Sequence, residues 1–418
     1  MRTPTLLVVD EDSPLSGSAS PVISALDYVK GAGADLPPGT LVRNLATNYA
    51  YMSRAYYVAL LAEARGHVAF PNVLDLLTSD PHVDASAEGK GGAQAPRSTE
   101  LAGREADTIG VLFTPGDKFG ASSAASLRDF SRSAAGFGLS VAFFSGAEIA
   151  EGLDRLAGLL IRDLTSPTNH AFRAALKATT RGVPVIDDPR SIVRCSNKAF
   201  VHHVLERRGI ATPQTLVVTP EMEVTEIVCK LGLPVVFKIP DGAFSLGVHK
   251  ADTVREGERI LADMRSRSAL VIAQEFMPTD FDWRIGMLGG EPLFACRYFM
   301  APGHWQIGAH LSAQERIEGE AEAVPLQEVP VAVIEAARKA ASSIGGGLYG
   351  VDIKQAGART CVIEVNDNPD IDSDCEAGLP DSPVWPTLAG WFAKRLAGLQ
   401  PEAPRQSEAV GDRLPLTA

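Results

Sequence analysis

The sequence predicts an α/β protein in which a small parallel α/β domain precedes a larger α+β region. Between residues 108 and 186, short apolar runs alternate with helical patterns, which is typical of parallel strands joined by crossover helices. Farther along the chain, two pairs of apolar strands are each joined by a glycine-containing turn, at Gly289–Gly290 and around Gly357. Such pairs predict antiparallel hairpins. A chain of 418 residues is long enough for roughly two to four domains with a sizeable core.

The composition excludes several classes of function. A net charge of −12 disfavours a nucleic-acid groove or an anionic membrane surface as a partner. The five cysteines are widely spaced and form no Cys-x-x-Cys pair, which favours free thiols in a reducing compartment. The first residues lack the apolar core of a signal peptide, and no apolar run has the length of a membrane span. We therefore expect a cytoplasmic protein without a nucleic-acid or membrane partner.

Changes in composition predict the domain boundaries. Residues 79–104 are small and polar, which predicts a linker or a long surface loop, and residues 397–418 are expected to be a disordered tail. The alternating strand and helix pattern occupies residues 105–190, and a strand-rich region follows over residues 191–396. Residues 1–78 are expected to form a further domain at the N-terminus.

The N-terminal domain has two clear elements. The apolar run from Thr5 to Val9 predicts a buried parallel strand. Residues 49–64 have a helical pattern that is closed by Arg65 and Gly66. The four tyrosines of this helix are either a binding surface or core packing with hydroxyls at the rim.

The hairpin at residues 348–372 carries the most informative side chains. Asp352 lies within an apolar strand, and Glu364 and Asn366 alternate with apolar residues on the returning strand, so these two share one face. Carboxylates are rarely placed on such strands unless they are paired or bind metal. Carboxylate and amide oxygens suit Mg²⁺, which takes few protein ligands and prefers phosphate oxygens for the rest. The pattern predicts a metal site, with a solvated strand face as the alternative.

Two lysines and a glycine-containing loop predict a phosphate site. Lys198 lies in the first turn of a predicted helix with Ser196 as its N-cap, where its charge opposes the helix dipole unless an anion is bound. Lys238 ends an apolar strand, and Gly242 and Gly247 frame the loop that follows. Such a loop exposes backbone N–H groups to phosphate oxygens. The alternative is an ordinary hairpin turn.

Three arginines are further candidates. Arg162 follows a buried strand, where open α/β sheets place ligand contacts, although a surface cation without a role is equally compatible with the sequence. Arg284 shares a strand face with Asp282, and Arg297 lies on the returning strand of the same hairpin. An arginine on an apolar strand needs a partner, and a phosphate is one candidate.

The loop that follows this hairpin contains His304, Trp305 and His310. These residues are either a base or platform for a substrate or plain loop packing.

The order and spacing of Lys198, Lys238 with its loop, the run QEFM from Gln274, DWR from Asp282 and the Asp…Glu-x-Asn set resemble those of the ATP-grasp fold. Within that fold they resemble the RimK-like carboxylate–amine ligases. The resemblance covers about residues 108–396 and implies two lobes, over 191–272 and 273–396. Residues 1–78 look like the extra N-terminal domain of some RimK-like proteins, with no role that the sequence assigns.

The resemblance also implies roles for individual residues. Lys198 and Lys238 would contact ATP, and Gln274, Glu275 and Phe276 would form the hinge that meets the adenine. Asp282 would bind the ribose. Two Mg²⁺ ions, or Mn²⁺ in their place, would be held by Asp352, Glu364 and Asn366. In this chain Ser245 replaces a glycine of the phosphate loop, and HWQIGAH at 304–310 replaces an Asn/Arg motif, so the substrate specificity of the family does not carry over.

The implied activity is ATP- and Mg²⁺-dependent ligation of a carboxylate to an amine through an acyl phosphate. Arg284 and Arg297 are expected to flank the transferred phosphoryl group, and the loop from Gly242 to Gly247 to close over it. The substrates would be small-molecule or peptide acids and amines, while glutamate as the added group and a homo-oligomeric state stay open. Two rival hypotheses are a small-molecule kinase on the same fold and a nucleotide-binding regulator without turnover.

Overall fold

A computed structural model of the chain describes residues 3–11, 13, 18–79, 107–117, 119–146, 148–242, 247–310 and 316–398. Nearly all of the predicted linker and of the predicted tail lies outside these ranges, as does Ser245. Among the described residues, no helix is both long enough and apolar enough to cross a bilayer.

The N-terminal region is a parallel sheet with three helices. Its elements are β1 Thr5–Val9, β2 Val22–Ser24, α1 Ala25–Lys30, β3 Leu41–Asn44, α2 Arg54–Ala64, β4 Val68–Phe70 and α3 Val73–Ser79. The strand order is β2-β1-β3-β4, with every pair parallel, which confirms the parallel strand expected at Thr5. Helix α2 begins later than predicted, because the Ser53 hydroxyl accepts a hydrogen bond from the Tyr56 N–H and caps the helix there.

The second region is the small parallel domain that the alternating pattern predicts. Its elements are β5 Thr108–Leu112, α4 Ala124–Ala135, β6 Ser140–Phe144, α5 Ile149–Gly152, β7 Gly158–Ile161, α6 His170–Thr180, β8 Val185–Ile186 and α7 Pro189–Cys195. The strand order β6-β5-β7-β8 is parallel throughout. The carboxyl ends of these strands therefore lie at one edge of the sheet.

The third region is an antiparallel sheet with helices, called the N-lobe below. Its elements are α8 Lys198–Arg207, β9 Thr215–Val218, α9 Val224–Leu231, β10 Val235–Lys238, β11 Val248–Ala251, α10 Val254–Arg267 and β12 Val271–Glu275. The strand order is β11-β10-β12-β9. The N-cap of α8 is Asn197 and not Ser196, because Asn197 Oδ1 accepts from the Phe200 N–H at 2.9 Å.

The fourth region, called the C-lobe below, carries the two predicted hairpins. Its elements are β13 Phe281–Leu288, β14 Glu291–Phe299, β15 Gly308–His310, β16 Arg316–Glu318, β17 Ala321–Ala323, α11 Val331–Ile344, β18 Leu348–Ala356, β19 Arg359–Asp367 and α12 Val384–Leu396. Five strands form an antiparallel sheet in the order β17-β14-β13-β18-β19. Gly289 and Gly290 both have positive φ, as a two-residue hairpin turn requires.

The packing places a cleft between the two lobes. One continuous apolar core joins the N-terminal sheet, the parallel domain and the C-lobe sheet, whereas the N-lobe strands and α10 have a core of their own. Helix α2 packs against α8, so the N-terminal region also contacts the N-lobe. Helix α8, β10 and β12 face the C-lobe strand β19 across the cleft.

Candidate active site

The predicted metal-binding side chains lie on one face of the C-lobe sheet. In the β18–β19 hairpin, Asp352 is the direct cross-strand partner of Glu364, and Gly350 is that of Asn366. Cross-strand partners point to the same side of a sheet. Asn366 Nδ2 donates to Asp352 Oδ2 at 3.0 Å, so these side chains are in contact.

A β-bulge produces this alignment. The register of the hairpin shifts by one residue between Asp352 and Ile353, and Ile363 is the extra residue on β19. With regular pairing from the Gly357 turn, Asp352 would lie opposite Ile363, and Glu364 would point to the other face. The bulge therefore turns Glu364 and Asn366 towards Asp352.

The carboxylates of this face already have cationic partners. Arg284 forms a two-pronged ion pair with Asp352, through Nε to Oδ1 and through Nη2 to Oδ2 at 3.0 Å. Lys354 Nζ donates to Asp282 Oδ1 at 2.6 Å. Burial raises the pKa of Asp352, and the Arg284 guanidinium opposes that rise by favouring the carboxylate. The face is thus a network of matched charges in a buried setting.

Two lysines face this sheet from the N-lobe side of the cleft. Lys198 Nζ lies 2.8 Å from Glu364 Oε1 and donates to the Gly242 carbonyl oxygen at 2.5 Å. Burial disfavours the Glu364 carboxylate, but Lys198, Lys238 and Arg284 together outweigh burial and hold the pKa of Glu364 below its usual value. Lys238 Nζ donates to the amide oxygen of Gln274 at 2.7 Å. Burial lowers the pKa of Lys238 to about 8.

The cleft between these groups is open to solvent at its mouth. Its polar lining comes from residues of both lobes, namely Lys198, His202, Thr212, Thr215, Lys238, Gln274 and Glu364. Its apolar lining is Val201, Leu205, Ile272, Val362 and Ile363. Apolar walls with a few convergent polar groups are typical of a site for a flat, partly charged small molecule.

The hinge residues of the prediction lie at the end of β12 and directly after it, and they are only partly in the cleft. Gln274 lines it, and its Nε2 donates to Thr215 Oγ1 at 2.9 Å. Glu275 pairs with Arg359 of β19 and so joins the two lobes. The Phe276 ring lies edge-on to Trp305, with centroids 5.8 Å apart.

The other loop residues are placed near this hinge or beside the cleft. Trp305 stacks with His304 at a centroid distance of 5.8 Å, so the histidine and tryptophan predicted to serve a substrate form an aromatic cluster with Phe276. Gly247 has a φ of +74°, and its carbonyl accepts from the Ile239 N–H at 3.1 Å. Asp282 is buried and bonded to Thr279 as well as to Lys354, so one of its oxygens is already engaged.

Arg297 does not lie with Arg284, which corrects the expectation that the two flank one group. The cross-strand partner of Arg284 is Cys296, and that of Arg297 is Trp283, so the two arginines point to opposite faces of the sheet. Arg297 stacks on Trp283, with Cζ 5.1 Å from the ring centroid. The cause is a second β-bulge, between Gly286 and Met287, which shifts the register by one residue.

Arg162 is neither a surface cation nor open to a ligand. Its relative exposure is 0%, and its guanidinium donates to Ser122 Oγ at 3.1 Å and to Asn368 Oδ1 at 2.9 Å. It also donates to the carbonyl oxygens of Ala121 and Pro369. Arg162 thus fastens the parallel domain to the turn that follows β19.

Several residues of the site are not among those predicted. Thr215 and His202 line the cleft, and Lys354 neutralises Asp282. Lys354 lies two residues after Asp352 on the same strand, so the alternation of side chains could have identified it. No comparable local signal identifies Thr215 or His202, because they reach the cleft only through the packing of β9 and α8.

The residues present fit a divalent cation. Asp352 and Glu364 supply carboxylate oxygens on one face, and a half-turn of the Asn366 amide would present Oδ1 in place of Nδ2. Oxygen-only ligands of this kind suit Mg²⁺. The cations opposite, Lys198 and Lys238, suit the phosphates that Mg²⁺ accompanies.

Two family models match the chain. The RimK-like ATP-grasp N-terminal domain matches residues 25–134, and the RimK-like ATP-grasp domain matches residues 195–377. The first match extends past the boundary predicted at residue 78.

Similar curated proteins are ligases. The chain is 29% identical over 208 residues to the alpha-aminoadipate–LysW ligase LysX of Saccharolobus solfataricus, which covers 48% of this chain and 72% of that protein. It is 24% identical over 225 residues to a probable alpha-L-glutamate ligase of Parasynechococcus marenigrum, covering 53% of this chain and 46% of the relative. A probable alpha-L-glutamate ligase 1 of Pseudoalteromonas atlantica is 27% identical over 190 residues, covering 45% and 60%. The chain thus spans less than two thirds of the length of the last two.

Solved structures share the fold. A RimK domain ATP-grasp protein from Sphaerobacter thermophilus aligns with a TM-score of 0.52 and 17% identity, over 68% of this chain and 98% of that one. The ATP-grasp ligase PsnB in complex with a minimal precursor aligns with a TM-score of 0.51 and 18% identity, over 70% and 99%. PsnB solved with Mg and ADP aligns with a TM-score of 0.50.

The two lobes around a charged cleft, with a parallel domain before them, therefore define the ATP-grasp class. The chain belongs to the RimK-like ATP-grasp family, a family of ATP-dependent carboxylate–amine ligases, and carries the N-terminal domain of that family. ATP and Mg²⁺ are the cofactors of this class.

Proposed function

We propose that this chain uses ATP to join an amino-acid carboxylate to an amine, and that the reaction takes place between β19 and α8. One observation carries the proposal: the face that bears Asp352, Glu364 and Asn366 meets Lys198 across the cleft at 2.8 Å. Anionic metal ligands and phosphate-binding cations thus lie side by side. A carboxylate and an amine do not condense spontaneously at neutral pH, so the acid must first acquire a leaving group, and this arrangement suits phosphoryl transfer.

The nucleotide is proposed to lie along the cleft with its phosphates towards the lysines. Lys238 has no carboxylate partner among the described residues, and its ammonium would neutralise phosphate oxygens. Lys198 lies at the start of α8 and contacts the Gly242 carbonyl, so it would reach the same phosphates. The base would pack between Leu205 and Ile272, beside the hinge that begins at Gln274.

The remaining nucleotide contacts are assigned to residues at the hinge, on the next strand and in the phosphate loop. Glu275 and Phe276 would meet the adenine edge and Asp282 the ribose, while Gly247 and Ser245 would belong to the phosphate loop. The roles of His304 and Trp305 towards a substrate stay predictions, and the proposed chemistry does not depend on them. Arg162 is buried and bonded within the protein, so no substrate role is proposed for it.

Asp352, Glu364 and Asn366 would hold the divalent cations, for which we propose two Mg²⁺ ions, replaceable by Mn²⁺. When bound, the ions neutralise the triphosphate and polarise its γ-phosphoryl group. Arg284 is held by Asp352 on the same face, and its guanidinium would stabilise the charge that develops on the transferred group.

The proposed reaction has two chemical steps. A carboxylate oxygen of the acid attacks the γ-phosphorus, the bond to the β–γ bridging oxygen breaks, and ADP leaves with that electron pair. The amine nitrogen then attacks the carbonyl carbon of the acyl phosphate, the C–O bond breaks, and inorganic phosphate leaves as the nitrogen loses a proton to solvent. The partly buried cations of the cleft, Lys238 and Arg284, would stabilise the first transition state.

The substrates are proposed to be amino acids or the ends of peptides. The relatives, an alpha-aminoadipate–LysW ligase and probable alpha-L-glutamate ligases, support this class. A cytoplasmic location is proposed as well, since all five cysteines are free thiols.

The test is to incubate the protein with Mg²⁺ and ATP and to add amino acids in pairs, while ADP release and product mass are measured. Hydroxylamine serves as a general amine, because it traps an acyl phosphate as a hydroxamate. We expect ADP release with a matching acid and hydroxamate formation when hydroxylamine is added. A stable phosphorylated product without any amine would contradict the proposal in favour of a kinase. ATP binding with no ADP in any mixture would contradict it in favour of a regulator.

A further inference from the structure

Asp241 immediately precedes the glycine loop and is held by the N-terminal region. The hydroxyl of Tyr51 donates to Asp241 Oδ1 at 3.0 Å, and the hydroxyl of Tyr57 donates to Oδ2 at 2.7 Å. Asn197 Nδ2 donates to the same Oδ2 at 3.0 Å. Both carboxylate oxygens are thus bonded, and two of the three donors come from residues about 190 positions earlier in the chain.

The same carboxylate is connected directly to the proposed phosphate site. Asn197 and Asp241 form an isolated antiparallel bridge, and Asn197 also caps helix α8. Lys198 is the next residue: its N–H donates to the Pro240 carbonyl at 2.8 Å, and its Nζ donates to the Gly242 carbonyl at 2.5 Å. The position of Asp241 therefore sets the positions of Lys198 and of the Gly242 end of the loop.

Helix α2 carries Tyr57, and Tyr51 lies in the turn just before its N-cap Ser53. Tyr57 is fully buried in the core that α2 shares with α8. At the far end of the two helices, Arg207 Nη1 donates to the Ala64 carbonyl at 2.6 Å. Arg194 Nε, on helix α7, bonds Glu63 Oε1 at 2.8 Å. Contacts near both ends of α8 therefore hold helix α2 in place. As a result, the tyrosine hydroxyls have little freedom to move away from Asp241.

Burial makes the hydrogen bonds to Asp241 necessary. Burial raises the pKa of Asp241, and the bonds from Tyr57, Asn197 and Tyr51 oppose that rise. A buried carboxylate that loses its donors must either take up a proton or move towards water. Either change would release the bridge to Asn197.

We propose that Tyr51 and Tyr57 are positioning residues of the nucleotide site, which fix Lys198 and the Gly242 end of the glycine loop through Asp241. The proposal rests on the proposed function, since it assumes that ATP binds in this cleft. It gives the N-terminal domain a role: two of its side chains complete the support of the phosphate site without touching the nucleotide.

The test uses the full chain, with a β,γ-imido analogue of ATP and Mg²⁺ as the ligand in titration calorimetry. In the variant Tyr51→Phe with Tyr57→Phe, we expect the Kd to rise by at least about tenfold, the equivalent of about 1.4 kcal/mol. Tyr49→Phe is the matched control, because its hydroxyl donates to the Asn44 carbonyl within the same region and not to Asp241. A merely structural role would lower the melting temperature of both variants and leave the Kd of both unchanged.

Asp241→Asn is the second variant, since it leaves the N-terminal core intact and settles the question if the double variant does not fold. We expect it to weaken analogue binding to a similar degree, and its effect not to add to that of the tyrosine changes, because all three act through one carboxylate. Wild-type affinity in Asp241→Asn, or in a folded tyrosine double variant, would overturn the proposal while the proposed function stands. If the wild-type protein itself binds no analogue, both fail.

Discussion

The two sides of the cleft differ in how fully their charged side chains are paired with opposite charges. On the C-lobe side, each carboxylate has a cation at hydrogen-bond distance, Asp352 with Arg284 and Asp282 with Lys354. On the N-lobe side, the partly buried Lys238 donates, among the described residues, to the neutral amide of Gln274 alone. Burial lowers the pKa of Lys238, the Glu364 carboxylate opposes that shift, and Lys198 and Lys354 add to it.

This difference indicates which side of the cleft would gain an anionic partner when a ligand binds. A buried ion pair with complete hydrogen bonds is held in place before anything binds, so the C-lobe face is preorganised. A buried ammonium without an anion is costly, and a phosphate group would relieve that cost. The Lys198–Glu364 pair joins the two sides, which places the proposed metal ligands beside the proposed phosphates.

The largest expected effect comes from breaking the C-lobe network at its centre. Asp352→Asn keeps the shape of the side chain but removes a metal-binding charge and the partner of Arg284. We expect ADP formation to fall by at least about 100-fold, the scale found when one charge-stabilising group is removed from an active site. The measurement is steady-state ADP release with saturating Mg²⁺ and ATP.

Glu322→Gln is the control for this change, because Glu322 is half exposed on the same sheet and pairs only weakly with Arg297 at 3.4 Å. Its turnover should stay close to that of the wild type. Full turnover in Asp352→Asn would refute the assignment of the metal ligands.

The second prediction compares the two faces of the C-lobe sheet. Arg284→Gln should lower turnover by about 100-fold, since its charge lies on the site face. Arg297→Gln should change turnover by less than about threefold and cost about 0.5–2 kcal/mol of stability, because it removes stacking on Trp283 and Phe281 and a weak, exposed pair with Glu322. Turnover and urea unfolding of both variants check this. Equal losses of turnover would mean that Arg297 reaches the site after all.

The third prediction concerns pH and the N-lobe lysine. Lys238 is charged below its pKa of about 8 and neutral above it, so a nucleotide that needs the charge must bind more weakly as pH rises. We expect the Kd of the ATP analogue to rise towards about tenfold per pH unit above pH 8. Lys238→Arg stays charged throughout and should give a flat profile between pH 7.5 and about 9.5. A wild-type profile as flat as that of the variant would show that Lys238 does not bind the phosphates.

Local patterns predicted the elements well. The alternation of strands and helices gave the parallel domain, and the paired strands with glycine turns gave both hairpins. These features depend on residues a few positions apart, which is why the sequence alone is sufficient for them.

The alignment of side chains between neighbouring strands was less predictable. Alternation established that Glu364 and Asn366 share a face, but not that this is the face of Asp352. The bulge at Ile363 decided that, just as the bulge near Gly286 turned Arg297 away from Arg284. One inserted residue reverses every side chain beyond it, and no property of the residues themselves marks its position.

The sequence by itself thus determined the order of the elements, the chemical character of each strand face and the family they resemble. The tertiary structure decided which faces meet: carboxylates with lysines across the cleft, and Asp241 with Tyr51 and Tyr57 from the start of the chain. The physical reason is that side-chain periodicity is set by neighbouring backbone dihedrals, whereas register and domain contacts are set by packing between segments that are distant in the chain.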